Sequence, residues 1–190
     1  MRIIAGEMRS RRLKAPEGMD TRPTADRVKE ALFSILGARI YDARVLDLYG
    51  GSGALALEAI SRGAKSAVIA DQSPKACQVI GENIMALGCE SRVQLLRLRD
   101  TATLKALQSR KDGFDLIFLD PPYRMDTAPI CREIMEKGLL NQDGAVIIEH
   151  SREKQPAIQA PLACFDRREY GVTGLSFYAV AQEGKTDGGE

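Results

Sequence analysis

Between residues 44 and 149, five short runs of β-branched and large apolar residues recur, and the first four are each followed by a segment with helical apolar spacing. The runs are Arg44 to Leu48, Ser66 to Ala70, Val93 to Leu98, Phe114 to Leu119 and Ala145 to Glu149. Helices are expected over Ala54 to Ser61, from the Ser73-Pro74 start to the Gly88 stop, over Ala102 to Gln108, and around Ala128 to Glu136. This rhythm demands right-handed βαβ crossovers and a parallel sheet covered on both faces. Ahead of it, Thr24 is placed to cap a helix whose Val28, Ala31, Leu32, Ile35 and Leu36 share one face, with Gly37 as its stop. Past residue 160 the rhythm breaks. Cys164 to Tyr170 and Leu175 to Ala181 read as two strands joined through Gly171 and Gly174, which makes seven strands and closes the sheet with an antiparallel hairpin.

A chain of 190 residues with 44% hydrophobic and 28% charged residues is long enough for one well-buried α/β domain. No apolar run approaches the roughly 18 residues of a membrane helix. Ile3, Ile4 and Ala5 are too few for a signal-peptide core. Cys77, Cys89, Cys131 and Cys164 form no C-x-x-C pair, so no zinc or redox motif is readable. Four buried, reduced thiols, no metal and a cytoplasmic address are the expectation. The net charge of +1 selects no partner. Its distribution says more: Arg2, Arg9, Arg11, Arg12 and Lys14 face only Glu7 in the first 14 residues. Such an arm suits nucleic acid, although a basic terminus also merely aids solubility. Residues 182–190 are glycine-rich and acidic, as in a disordered tail.

In parallel sheets of this kind, ligands bind beyond the carboxyl ends of the strands. The first strand enters Leu48-Tyr49-Gly50-Gly51-Ser52-Gly53, where glycines let the backbone turn tightly against a ligand facing the next helix. No Gly-Lys-Ser/Thr follows, which removes the P-loop. Asp47, just before the loop, would repel a pyrophosphate and attract an ammonium group. Asp71 ends the second strand 20 residues beyond Gly51, a spacing suited to ribose hydroxyls. Asp100 ends the third, within reach of an adenine amino group.

The fourth strand runs into Asp120-Pro121-Pro122-Tyr123. Two prolines stiffen the backbone and remove two donors, leaving a carboxylate and carbonyls as acceptors. A carboxylate and a carbonyl match the two donors of a planar amine, and Tyr123 can stack on the base that carries it. His150, the single histidine, follows Glu149 at the end of the fifth strand and is expected to be structural or solvent-facing.

Glycine loop, strand-end acids and Asp-Pro-Pro-Tyr, in this order, resemble class I S-adenosylmethionine (SAM)-dependent methyltransferases that act on amino nitrogens. Ile3-Ile4-Ala5-Gly6, Arg9, Arg11-Arg12-Leu13 and the run from Thr21-Arg22-Pro23-Thr24 to Phe33 narrow this to a resemblance with the RsmD family. It extends to Tyr170-Gly171 and Ser176-Phe177-Tyr178, about residues 1–181. Ser34 departs from the Asn common in that family.

The resemblance implies a Rossmann-like class I methyltransferase fold and transfer of the SAM methyl to N2 of guanine 966 (bacterial numbering) in 16S rRNA. The acceptor would be RNA in a partly assembled small subunit, with no membrane or metal. It assigns Asp120, Pro121, Pro122 and Tyr123 to catalysis. Asp47, Tyr49, Gly50, Gly51, Gly53, Asp71, Gln72 and Asp100 would hold SAM. Arg9, Arg11, Arg12, Lys14, Arg22 and Thr24 would contact RNA. Residues 1–23 are then a basic N-terminal arm or extension and 24–181 the SAM-dependent methyltransferase domain. Methylation of DNA adenine or protein glutamine is the alternative enzyme, Asp120 in place of Asn weighing against glutamine. A non-catalytic SAM-binding assembly factor is the alternative outside enzymes.

Overall fold

The structure, a computed structural model, describes residues 1–16 and 23–181, with the backbone alone for residues 23–25. Helix α1 (Pro23–Leu36) leads through a short 3-10 turn into β1 (Arg44–Asp47), α2 (Ala54–Ser61), β2 (Ser66–Ala70), α3 (Pro74–Leu87) and β3 (Val93–Leu96). There follow α4 (Asp100–Ser109), β4 (Phe114–Leu119), α5 (Ala128–Glu136), β5 (Leu140–Ser151), β6 (Leu162–Tyr170) and β7 (Thr173–Val180). The seven strands lie in the order β3-β2-β1-β4-β5-β7-β6. Strands β1 to β5 pair in parallel, and β7 is antiparallel to both β5 and β6. The chain order reverses between β1 and β4, so the crevice at their carboxyl ends is the switch point where such sheets bind ligands.

Alternate residues explain why the strands read as unbroken apolar runs. Val45, Ile69, Leu116, Phe118 and Ile147 pack beneath Leu32, Phe33, Leu57 and Ile80 on one face. Leu46, Ile117, Leu119 and Ile148 meet Leu104, Leu107, Ile130 and Ile134 on the other. Period-2 alternation inside a sheet covered twice leaves no polar face to interrupt the pattern.

Several boundaries differ from expectation. Helix α1 starts at Pro23, in the first-turn position proline favours, so Thr24 lies within the helix and does not cap it. Strand β5 starts at Leu140, well before Ala145, because Phe114 pairs with Leu140 ahead of a register shift that polar Asn141 to Asp143 disguise. Cys164 is exposed, correcting the expectation of four buried thiols. It sits on β6, the outer strand of the sheet, whose side chains are mostly solvated.

The N-terminal segment is not a loose arm. Ile3 is wholly buried, Met8 and Leu13 nearly so, all within the first core cluster. The fully buried carboxylate of Glu58 accepts from Ile4 N (2.8 Å) and Ala5 N (3.0 Å), and pairs with Lys29 (3.3 Å) and Arg62 (2.8 Å). Four donors make a buried charge tolerable where one would not. Gly6, at φ +85°, lies so near Ser61 that an added Cβ would sit 1.8 Å from its carbonyl oxygen.

Candidate active site

At the end of β1, Gly50 N donates to Ala70 O at 2.9 Å and Gly53 N to Gly50 O at 2.6 Å, closing a tight turn that delivers the chain to α2. Gly51 and Gly53 hold φ of +55° and +79°, backbone that side chains disfavour. A Cβ on Gly50 would meet Ile69 Cγ2 at 2.4 Å. The loop is braced from the next strand: Asp71 accepts from Gly51 N (2.9 Å) on one oxygen and Ser73 N (2.8 Å) on the other. Tyr49 donates its hydroxyl to Asp100 at 2.9 Å, and Asp100 also accepts from Thr101 N at 2.7 Å. Burial drives the Tyr49 hydroxyl pKa far upward, so it stays a donor. A cavity of about 630 Å³ is lined by Gly51, Asp71, Gln72 and Asp100, and by Leu98, an apolar platform that the sequence reading missed.

Asp47 differs from these acids. Its side chain is buried; Oδ2 lies a long 3.4 Å from Ala56 N, the Tyr49 backbone amide also acts on the carboxylate, and among the described residues Oδ1 has no partner of good hydrogen-bond geometry. Burial, then the charges of Asp120 and Asp71, push its pKa up to about 7. A second cavity, about 590 Å³, is lined by Asp47, Gly50, Gly51, Asp120, Tyr123 and Glu149. An orphaned acid oxygen in a glycine-walled cavity fits an ammonium-bearing ligand.

Asp120 follows β4 directly, and Met125 N closes the turn by donating to Pro122 O at 2.8 Å. Among the described residues, no N–H or O–H group is hydrogen-bonded to the Asp120 carboxylate. Burial raises its pKa. Tyr123 donates weakly to Glu149 (3.4 Å) and shares a hydrogen bond with Thr173 Oγ1 (3.0 Å), its ring partly exposed. Glu149, absent from the sequence-based site, borders both cavities. Burial and the neighbouring Asp120 raise its pKa well above the carboxylate range. His150 is buried, bonded to Ser176 Oγ and Ser151 O at 2.8 Å each, a structural role. Among the described residues no cluster of acids, cysteines and histidine could hold a metal.

Lys14 pairs with Glu82 at 2.7 Å and Arg11 bonds to Ala86 O, so two of the arm's cations are held against α3. Arg9 and Arg12 are exposed. Arg22 and the side chain of Thr24 lie outside the described residues, as does the expected tail from 182 to 190.

The sheet order, the hairpin and the glycine-loop crevice together define a Rossmann-like class I methyltransferase fold. The family model described as "Conserved hypothetical protein 95" matches residues 1–179, and the chain belongs to that family, the RsmD family. YlbH of Bacillus subtilis (strain 168), provisionally named an rRNA methyltransferase, is 38% identical over 180 residues, covering 94% of this chain and 98% of its own. Ribosomal RNA small subunit methyltransferase D of Escherichia coli (strain K12) is 30% identical over 189 residues, 98% of this chain and 93% of that relative. The solved structure of Escherichia coli yhhF, provisionally titled a methyltransferase, superposes with a TM-score of 0.83 at 30% identity, covering 96% of this chain and 99% of that one.

Proposed function

We propose that the protein is an rRNA methyltransferase that places the methyl group of SAM on N2 of a guanine in 16S rRNA, guanine 966 in the bacterial numbering. The observation that carries this reading is Asp120: a half-buried carboxylate at the crevice, directly before two prolines, with no hydrogen-bond donor among the described residues. The names of the relatives support rRNA as the acceptor class.

In this reading Asp71 holds the ribose hydroxyls, Asp100 with Tyr49 and Leu98 the adenine, and Asp47 the ammonium group. Bound SAM supplies an electrophilic methyl on sulfonium. The guanine amine is a poor nucleophile because its lone pair is delocalised into the ring. Asp120 and the Pro121 carbonyl accept its two N–H bonds and turn that lone pair towards the methyl-bearing side. The same acceptors stabilise the positive charge that grows on nitrogen, in a site where burial makes each interaction stronger than in water. N2 lies on the Watson–Crick edge, so the base must be splayed from a loop or flipped to reach Asp120.

Incubation with labelled SAM and either protein-free 16S rRNA or partly assembled small-subunit particles, followed by nucleoside analysis, tests the reading. N2-methylguanosine at one position is the expected product. Label on adenine, on protein glutamine, or on nothing would overturn it.

A further inference from the structure

We infer that Glu149 is the residue that makes the acceptor site specific for guanine, by accepting the N1–H of the base whose N2 amine rests on Asp120 and Pro121. The inference rests on the guanine-N2 reading above and names what selects the base. Leu119 of β4 is in register with Ile148 of β5, so Asp120 and Glu149 are the next residues along two adjacent parallel strands. Neighbouring strands run about 4.8 Å apart, which sets the two acids side by side. Both border both cavities of the crevice. Among the described residues, Glu149 has one weak donor, the Tyr123 hydroxyl at 3.4 Å, and that hydroxyl has a closer partner in Thr173. The amine of Lys29, on the wall of the same cavity, is occupied by Arg2 O at 2.6 Å and Glu58 at 3.3 Å. Two adjacent half-buried acids, their carboxylates partly withdrawn from water and given so little internal satisfaction, are open to a ligand that brings donors.

Guanine brings three in a row: N1–H and the two N2–H bonds. Asp120, the Pro121 carbonyl and Glu149 are three acceptors for them. Guanine N1–H draws Glu149 into its ionised, accepting form, which relieves the raised pKa. Adenine also offers an amine, but the ring nitrogen beside it is an acceptor whose lone pair repels that ionised form. A glutamine amide fails in the same way, since its carbonyl oxygen would take that place. Asp120 alone can hold any of the three amines. The second acid converts an amine site into a guanine site by repelling the alternatives as well as binding the right base.

The test uses the full chain, SAM and the rRNA substrate that the protein methylates, carrying guanine or 2-aminopurine at the target position. 2-Aminopurine keeps the 2-amino group but has an acceptor at N1. The unsubstituted protein is expected to prefer guanine by at least about 100-fold, because sites built to hydrogen-bond a group discriminate strongly against its absence. Glu149→Gln, whose amide donates to an N1 acceptor, is expected to narrow that preference by about 10-fold or more. Equal rates on the two bases with the unsubstituted protein would overturn the inference whatever the variant does. So would a variant that loses activity on both bases in equal proportion, the mark of a merely structural role. If the unsubstituted protein methylates no guanine, the proposed function falls and this inference with it, which separates the two failures.

Discussion

The two halves of the crevice treat their acids in opposite ways. Beneath the glycine loop, Asp71 has both oxygens bonded to backbone amides and Asp100 takes the Tyr49 hydroxyl and its neighbour's amide. Across the switch point, Asp120 has no hydrogen-bond donor among the described residues and Glu149 has a distant one. The first pair is tied into the scaffold by those bonds. The second pair carries raised pKa values, a cost that burial imposes and that donors from outside relieve. On the proposed reading, the fold spends its own amides on the acids that would hold the cofactor and leaves open those that would meet the reacting group. Asp47 belongs with the open pair although it sits beside the glycine loop.

The largest expected effect breaks the open side. Asp120→Ala should lower methyl transfer by about 100-fold or more, the usual cost of removing a preorganised partner from a developing charge. SAM affinity should stay within a few-fold, since the carboxylate is proposed to serve the amine. Single-turnover rates and calorimetry on the same preparation check this. A parallel loss of cofactor binding would merge the two halves that the hydrogen bonding of their acids distinguishes.

Asp71→Ala strikes the tied side. It removes the proposed ribose partner and also unties Gly51 N and Ser73 N, so SAM affinity should fall by about 1–3 kcal/mol. Unchanged affinity by calorimetry would refute the ribose placement.

Asp47 supplies a smaller, pH-linked effect. A cation binds the ionised acid, while the empty site holds its proton up to about pH 7. Affinity for SAM should therefore rise with pH through that value, by roughly tenfold from pH 6 to pH 8, with a proton released on binding below it. Calorimetry in buffers of different ionisation heat measures that proton. An Asp47→Asn variant should lose the dependence, and affinity that is flat with pH in the unsubstituted protein would remove Asp47 from the ammonium site.

What the sequence made legible follows from which contacts are local. Strand, glycine turn and following acid lie within one βαβ unit, so Asp71 is readable from its distance to Gly51. Asp120 is readable because two prolines mark its turn. Glu149 ends an ordinary strand in one dimension. Its partnership with Asp120 exists through the register of β4 on β5, which is set by packing across 28 intervening residues and includes a shift between Phe114 and Leu116. Glu58 is hidden for the same reason. It reads as one charged residue in a largely apolar helix, and its purpose, holding Ile4, Ala5, Lys29 and Arg62, appears once the N-terminal segment folds back.

The smallest effect concerns that segment, where the same division between tied and open groups recurs. Lys14 and Arg11 are engaged with α3, whereas Arg9 and Arg12 point their charge at solvent. If the segment grips RNA, Arg9→Ala with Arg12→Ala should flatten the dependence of log affinity on log salt by about 0.7–0.9 per lost phosphate contact. Thermal stability should barely move, because neither side chain is buried. Replacing Lys14 and Arg11 instead should shift the melting temperature more and the salt slope less, since their bonds hold the segment to the body. Filter binding across a salt series, beside thermal melts of both double variants, distinguishes the pairs. An unchanged slope in the Arg9 and Arg12 variant would make those charges a solubility feature and move the RNA surface to the mouth of the crevice.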